Sequence, residues 1–340
     1  MFTLPGKLAD HAGTDGWICI VLDWLLVCLS GWIMLLTLRK YPSLTLPELL
    51  EQLFGRWLGK LLMLLPIGYF MLIGWFNLAT TSIHIKNWFL PKTPPCVILF
   101  LLAVPGYMIV RQGPSIHGRF CELVFYMSIF MILLPIMPLA QGHWLHLLPV
   151  VKEGWRPILD GAVHTLNAFA GIEIILLYYP CLQKKRYALH GLLAANTITL
   201  IIYLYVTIIC FIYFSPDGIA RLDQPLLILM KNVGFRFLER LDSLALAAYL
   251  LVIFTALAPA AYSATFTLSR LLGMPDHRRI AAWYFSAIVA TGLIVQPTWK
   301  MSLWWEQRIV NAVLVLLPFV PIALYVYVWG MEQVRKRRPG

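Results

Sequence analysis

Residues 161–180 read GAVHTLNAFAGIEIILLYYP, and the fold is decided there. The run is as long as a membrane-crossing helix, which needs about 20 mostly apolar residues. Its middle is not plain. Asn167, Ala168, Ala170 and Gly171 are polar or small, and Glu173 puts a carboxylate inside the run. Small residues let a helix open or let a neighbour approach closely. Opened backbone is tolerated at membrane depth where it lines a cavity, and membrane transport folds place ligands at such openings. The stretch therefore predicts a broken helix beside a ligand, with a plain packing notch as the alternative.

Apolar runs of similar length flank it at 17–38, 61–88, 94–110, 122–140, 188–214, 243–269, 280–297 and 307–330. They are continuous rather than alternating, so they are helices and not barrel strands. With 161–180 they make nine full spans. The totals agree: 60% of the 340 residues are hydrophobic and 13% charged. A soluble domain carries roughly 25% charged residues. Mean hydropathy is +0.76. The expectation is an all-α integral membrane protein, one polytopic domain over 1–340.

The net charge of +11 reads as membrane topology rather than nucleic-acid binding, because the basic residues lie in short loops between spans. With the C-terminus in the cytoplasm, 16 of the 27 Lys and Arg fall on that side, including Arg39, Lys40, Lys184, Lys185, Arg186 and the basic tail 331–340. The positive-inside rule thus predicts a cytoplasmic C-terminus. Trp17, Trp88, Trp155, Trp299 and Trp329 sit near span ends, where an aromatic belt meets membrane lipid. The long loop Ser215–Asp242 ends in PLLILMKNVGFRFLER (225–240), which predicts an interfacial amphipathic helix. None of the six cysteines forms a C-x-x-C pair, so they read as core residues.

Nine spans and an inside C-terminus would leave the N-terminus outside, yet the first thirteen residues hold no signal-like apolar segment. MFTLPGKLADHAG (1–13) offers a way out: it reads as the second half of a broken helix, opening at Pro5-Gly6, with its first half absent. Counted as span one, it sets breaks in spans one and six. An inverted five-plus-five repeat predicts that pairing, with 17–140 completing the first repeat and 161–330 forming the second.

Among the charges, Glu173 is the most informative, because an acid inside a span is a functional hypothesis by default. Its alternatives are a cation partner, a protonated donor or a structural bond to a neighbouring helix. Asp23 is expected to reach the headgroups, and His84 and His164 to be interfacial. Thr93 and Pro94 are expected to open a helix as cap and first turn. Arg240 and Asp242 are expected to cap and anchor the 243–269 span. There is no P-loop, G-x-S-x-G or H-E-x-x-H, so no enzyme is expected. Nor is a metal or cofactor: the eight histidines are scattered, and His143 and His146 have no evident third ligand.

The order of LPGKLADHAGTDGW (4–17), LRKYPSLTLPELLEQLFGRWLGK (38–60), LPKTP (90–94), GRFCELVF (118–125), LNAFAGIEIILLYYP (166–180) and FLERLDSLALAAYL (237–250) resembles the B subunit of spore germinant receptors, the spore permease family. The resemblance covers essentially the whole chain. It implies the fold of amino acid–polyamine–organocation transporters: ten helices in two inverted repeats, with a further half-helix before LPG. It also implies the inner spore membrane and partnership with an A subunit and a lipoprotein C subunit. The implied role is sensing a small nutrient, often an amino acid, to trigger germination. On this chain the implied pocket takes Leu4, Pro5 and Gly6 at one break and Phe169, Ala170, Gly171, Ile172 and Glu173 at the other. Tyr69, Asn77 and Thr255 join them on depth alone. An amino-acid transporter of the same fold and a non-binding structural subunit are the competing readings.

Overall fold

The computed structural model describes residues 2–133, 135–136, 139, 142–148, 151–152, 154–220, 222, 224–232, 241–295 and 297–337. Every regular element among them is helical. The first, α1 (Leu4–Ala12), opens with Thr3 before it and Pro5 in its first turn. Proline suits that position, since its missing N–H would have no helical partner there anyway. The chain then doubles back over Gly13–Asp15 into α2 (Gly16–Lys40). A Cβ on Gly16 would stand 2.7 Å from the Cβ of Leu8, so only a bare Cα fits where the two helices touch. The buried Asp15 carboxylate pins the turn, accepting from the N–H groups of Val151 (2.8 Å) and Lys152 (3.1 Å).

Helical residues run on as α3 (Leu46–Trp88), but not as one rod. Gly55 takes φ 80° and ψ 171°, a conformation open to glycine and not to L side chains. Residues 46–54 therefore fold back on 56–88: a Cβ on Gly59 would meet the Leu50 carbonyl at 2.8 Å. Next come α4 (Pro95–Val110) and α5 (Pro114–Leu133). The cap of α4 falls on Pro94, one residue later than expected. The residue before a proline is driven out of the helical region, so Pro94 stays extended (ψ 141°) and the helix starts at Pro95. Thr93 lies just outside, its N–H on the carbonyl of Leu90.

The sixth span is broken. It comprises α6 (Trp155–Thr165), a short turn to Phe169, the extended Ala170, and a second piece over 172–181 that contains α7 (Ile175–Tyr178). The two pieces meet at 43°. Then follow α8 (Ala188–Tyr213), the short α9 (Pro216–Ile219) and α10 (Pro225–Asn232), α11 (Leu241–Leu271), α12 (Arg278–Ile294) and α13 (Trp299–Arg337). Of the stretch 225–240 expected to lie at the interface, 233–240 lie outside the described residues, and α10 packs into protein rather than lying free. Leu226, Leu227 and Leu229 are fully buried and Met230 nearly so, in the core cluster that also holds Phe2, Leu8 and Phe169. A run apolar on every face buries more area in protein than at an interface. Arg240 lies outside the described residues, as does the side chain of Asp242, whose backbone is in the first turn of α11.

Six helical stretches have the length and hydropathy to cross a membrane, and the bent pair makes seven. The remaining two of the nine expected spans, α4 and α12, are 16 and 17 residues long. At 1.5 Å per residue that is about 24–26 Å, somewhat short of the ~30 Å hydrocarbon core. They lie against each other. Several other helix pairs share this spacing. Helix α1 packs on α6, α2 on α8, α3 on α11 and α4 on α12, each with the element five spans further on. The pair α3 with α13 is matched by α11 with α5. Helix α2 also packs on α13. Leu61, Leu65, Phe100 and Leu101 point outward, where lipid would cover them.

Candidate functional site

The break in span six is built from four residues. Ala168 and Phe169 end the first piece, Ala170 is extended, and Gly171 takes φ 122°. A Cβ on Gly171 would meet nothing within 4 Å, so the glycine is there for its backbone angle, not for space. Two side chains hold the opened backbone. Tyr203 of α8 donates its hydroxyl to the carbonyl of Ala168 at 2.9 Å. Glu173 turns back on the break, its Oε2 accepting from the N–H of Gly171 at 3.0 Å. Its Oε1 accepts from the Tyr69 hydroxyl at 2.5 Å, which ties the break to α3. Of the three roles open to Glu173, the structure displays the structural bond.

Two cavities meet at this break. The larger, about 930 Å³, is bordered by Phe169, Ala170, Gly171, Ile172 and Glu173 on one side and by Thr255 on another, with Lys184 at its far end. The smaller, about 390 Å³, is bordered by Leu4, Gly6 and Lys7 of α1, His84 of α3, and Trp299 and Glu306 of α13. Phe76, Asn77, Asn167, Ala168 and Tyr203 border both. Helix α3 shows the order: Phe70 borders the larger cavity, Asn77 the shared wall, and His84 the smaller cavity. The cavities thus lie toward opposite ends of the bundle with one layer of side chains between them.

Polar groups at the smaller cavity are partly committed. Lys7 and Glu306 form an ion pair that ties α1 to α13. Asp23 does not reach the headgroups. It is buried (4% exposed) and accepts from the Thr165 hydroxyl at 2.8 Å, joining α2 to the end of α6. His84 is buried rather than interfacial, with Nδ1 2.7 Å from the carbonyl of Thr80 and its ring edge-on to Trp299. The indole N–H of Trp299 is buried with no partner among the described residues, leaving a donor free beside the cavity.

Most residues expected from sequence therefore converge. Asn77, Thr255 and the run Phe169–Glu173 share the larger cavity, and Leu4, Gly6 and Asn77 share the smaller. Gly6 is also where the chain just before α10 crosses α1: a Cβ there would sit 2.6 Å from the carbonyl oxygen of Leu222. Pro5 and Tyr69 border neither cavity; Pro5 is buried in the first turn of α1 and Tyr69 acts through Glu173. Sequence reasoning missed Lys7, Tyr203, Trp299 and Glu306. Only Lys7, lying within the LPG motif, carried a signal that could have found it.

An all-α membrane protein of transporter-like fold, whose sixth span opens between two cavities, is of the permease class. Within that class the chain belongs to the spore germination permease family, whose sequence profile, described as "Spore germination protein", matches residues 1–298. It is similar to Spore germination protein YndE of Bacillus subtilis (strain 168), 25% identical over 80% of this chain and 76% of that protein. Spore germination protein A2 of the same organism is 26% identical over 84% of this chain and 81% of its own length. Spore germination protein GerQB of Bacillus cereus is 25% identical over 71% and 67%.

Proposed function

We propose that this chain is the membrane-embedded sensing subunit of a spore nutrient-germinant receptor. It binds a small nutrient, an amino acid in the first instance, where its two cavities meet, and so triggers germination. The observation that carries this is the shared wall. Asn77 and Asn167 border both cavities beside an opened helix, which is where transport folds bind substrate. Both volumes suit a small ligand, since binding pockets run to roughly 300–1,000 Å³. The printed names of the relatives support the germination context. In this reading the chain works beside an A subunit and a lipoprotein C subunit in the inner spore membrane. The Lys/Arg distribution supports a cytoplasmic C-terminus, and in this reading the smaller cavity faces outward.

A ligand can shift a receptor only through unequal affinity for two states. The test is equilibrium binding of a panel of radiolabelled L-amino acids to the protein in liposomes, with uptake measured in parallel. Saturable binding without uptake is expected. Gly171→Trp should abolish it, and so should Ala256→Trp, which fills the larger cavity from a helical position without backbone strain. Unchanged binding in both variants would remove the site. One observation favours a second reading, transport: the cavities approach from opposite ends and are separated by a single layer. Uptake that saturates with the same ligand would establish it.

A further inference from the structure

Three side chains from two helices meet beside the smaller cavity. His11 comes from the last turn of α1, and Asp160 and His164 lie one turn apart on one face of α6. Their ligand atoms all lie within 4.8 Å of one another. His11 Nδ1 is 3.4 Å from Asp160 Oδ2, and His164 Nε2 is 4.0 Å from Asp160 Oδ1. Ligand atoms held about 2.0–2.1 Å from a tetrahedral ion stand roughly 3.3 Å apart, so this triangle is near the size an ion needs. We infer that His11, Asp160 and His164 form a site for a divalent transition-metal ion that ties α1 to α6.

The donor set selects the class of ion. Two imidazole nitrogens and one carboxylate suit Zn²⁺, Ni²⁺ or Cu²⁺, whereas Ca²⁺ and Mg²⁺ require oxygen ligands throughout. The two rings are stacked, 4.1 Å between centroids and 10° between planes. Stacked rings hold their lone pairs side by side, so one ring must turn about χ2 for the lone pairs to converge. That torsion is broad for histidine, and the turn leaves Cβ in place. Asp160 is 61% exposed, which gives an ion a way in and leaves a fourth position open to water. The site does not depend on the nutrient reading, because no residue of it lies in the shared wall.

The test is calorimetric titration of the untagged full-length protein in detergent, with thiols blocked, using Zn²⁺, Ni²⁺ and Ca²⁺ in turn. One equivalent of Zn²⁺ or Ni²⁺ should bind, and Ca²⁺ should not. His11→Gln and His164→Gln should each weaken binding by at least about tenfold. Zn²⁺ should also raise the melting temperature of the wild type and not that of the His11→Gln/His164→Gln double variant. That comparison is made on variants whose elution and metal-free melting match the wild type. Absence of saturable Zn²⁺ binding, or binding unchanged by both substitutions, would overturn the site and leave an ordinary ion pair. So would variants that bind Zn²⁺ at wild-type strength through His143 and His146.

Discussion

At the scale of single residues, Glu173 shows how a costly group is put to use. Its two oxygens satisfy a hydroxyl on α3 and an N–H freed by the break. Removing the Tyr69 hydroxyl by Tyr69→Phe should destabilise the protein by about 1–3 kcal/mol, the range for leaving a buried hydrogen-bond partner unsatisfied. A melting curve in detergent checks this; an unchanged midpoint would mean that the bond contributes nothing. Gly171 was legible in the sequence because a glycine among small residues in an apolar run marks a backbone need. Asp23 was misread for a physical reason. Its depth was counted along the helix, but whether a carboxylate finds water or a threonine depends on which way the helix is turned. These spans are apolar on nearly every face, so periodicity does not mark the buried side.

Among the elements, the breaks that were legible had punctuation: Pro-Gly at the start of α1 and small residues at the break in span six. The plain spans were placed by hydropathy alone, as α8 and α12 show, but the fold at Gly55 and the burial of α10 were not read. The helix α10 looked interfacial and is core, because its burial depends on α1, α8 and α11 closing around it. The Lys7–Glu306 pair joins positions 299 apart in sequence, which no local pattern can reveal. It is also the bond whose loss should be most local. With side chains 30% and 24% exposed, it should contribute no more than about 1 kcal/mol. Glu306→Gln should therefore speed hydrogen exchange in α1 by roughly fivefold while leaving α4 and α12 unchanged. Equal exchange in both proteins would show that α1 is held by packing alone.

For the whole molecule, the order of spans, the fold class and the family were all readable, since membrane crossing constrains backbone more tightly than folding in water does. Orientation makes its own prediction. A tag on the C-terminal tail should be protected from protease in intact cells and cut once they are opened; digestion in intact cells would reverse the topology. The wall between the cavities has an electrical consequence. If water fills the cavity on each side, nearly all of the membrane potential falls across that one layer at Asn77 and Asn167. Moving one unit charge across the full potential is worth about 2.3 kcal/mol per 100 mV. A charged ligand shifted through so thin a layer would therefore make occupancy depend on voltage, and the protein would report the energised state of its membrane together with the presence of its ligand.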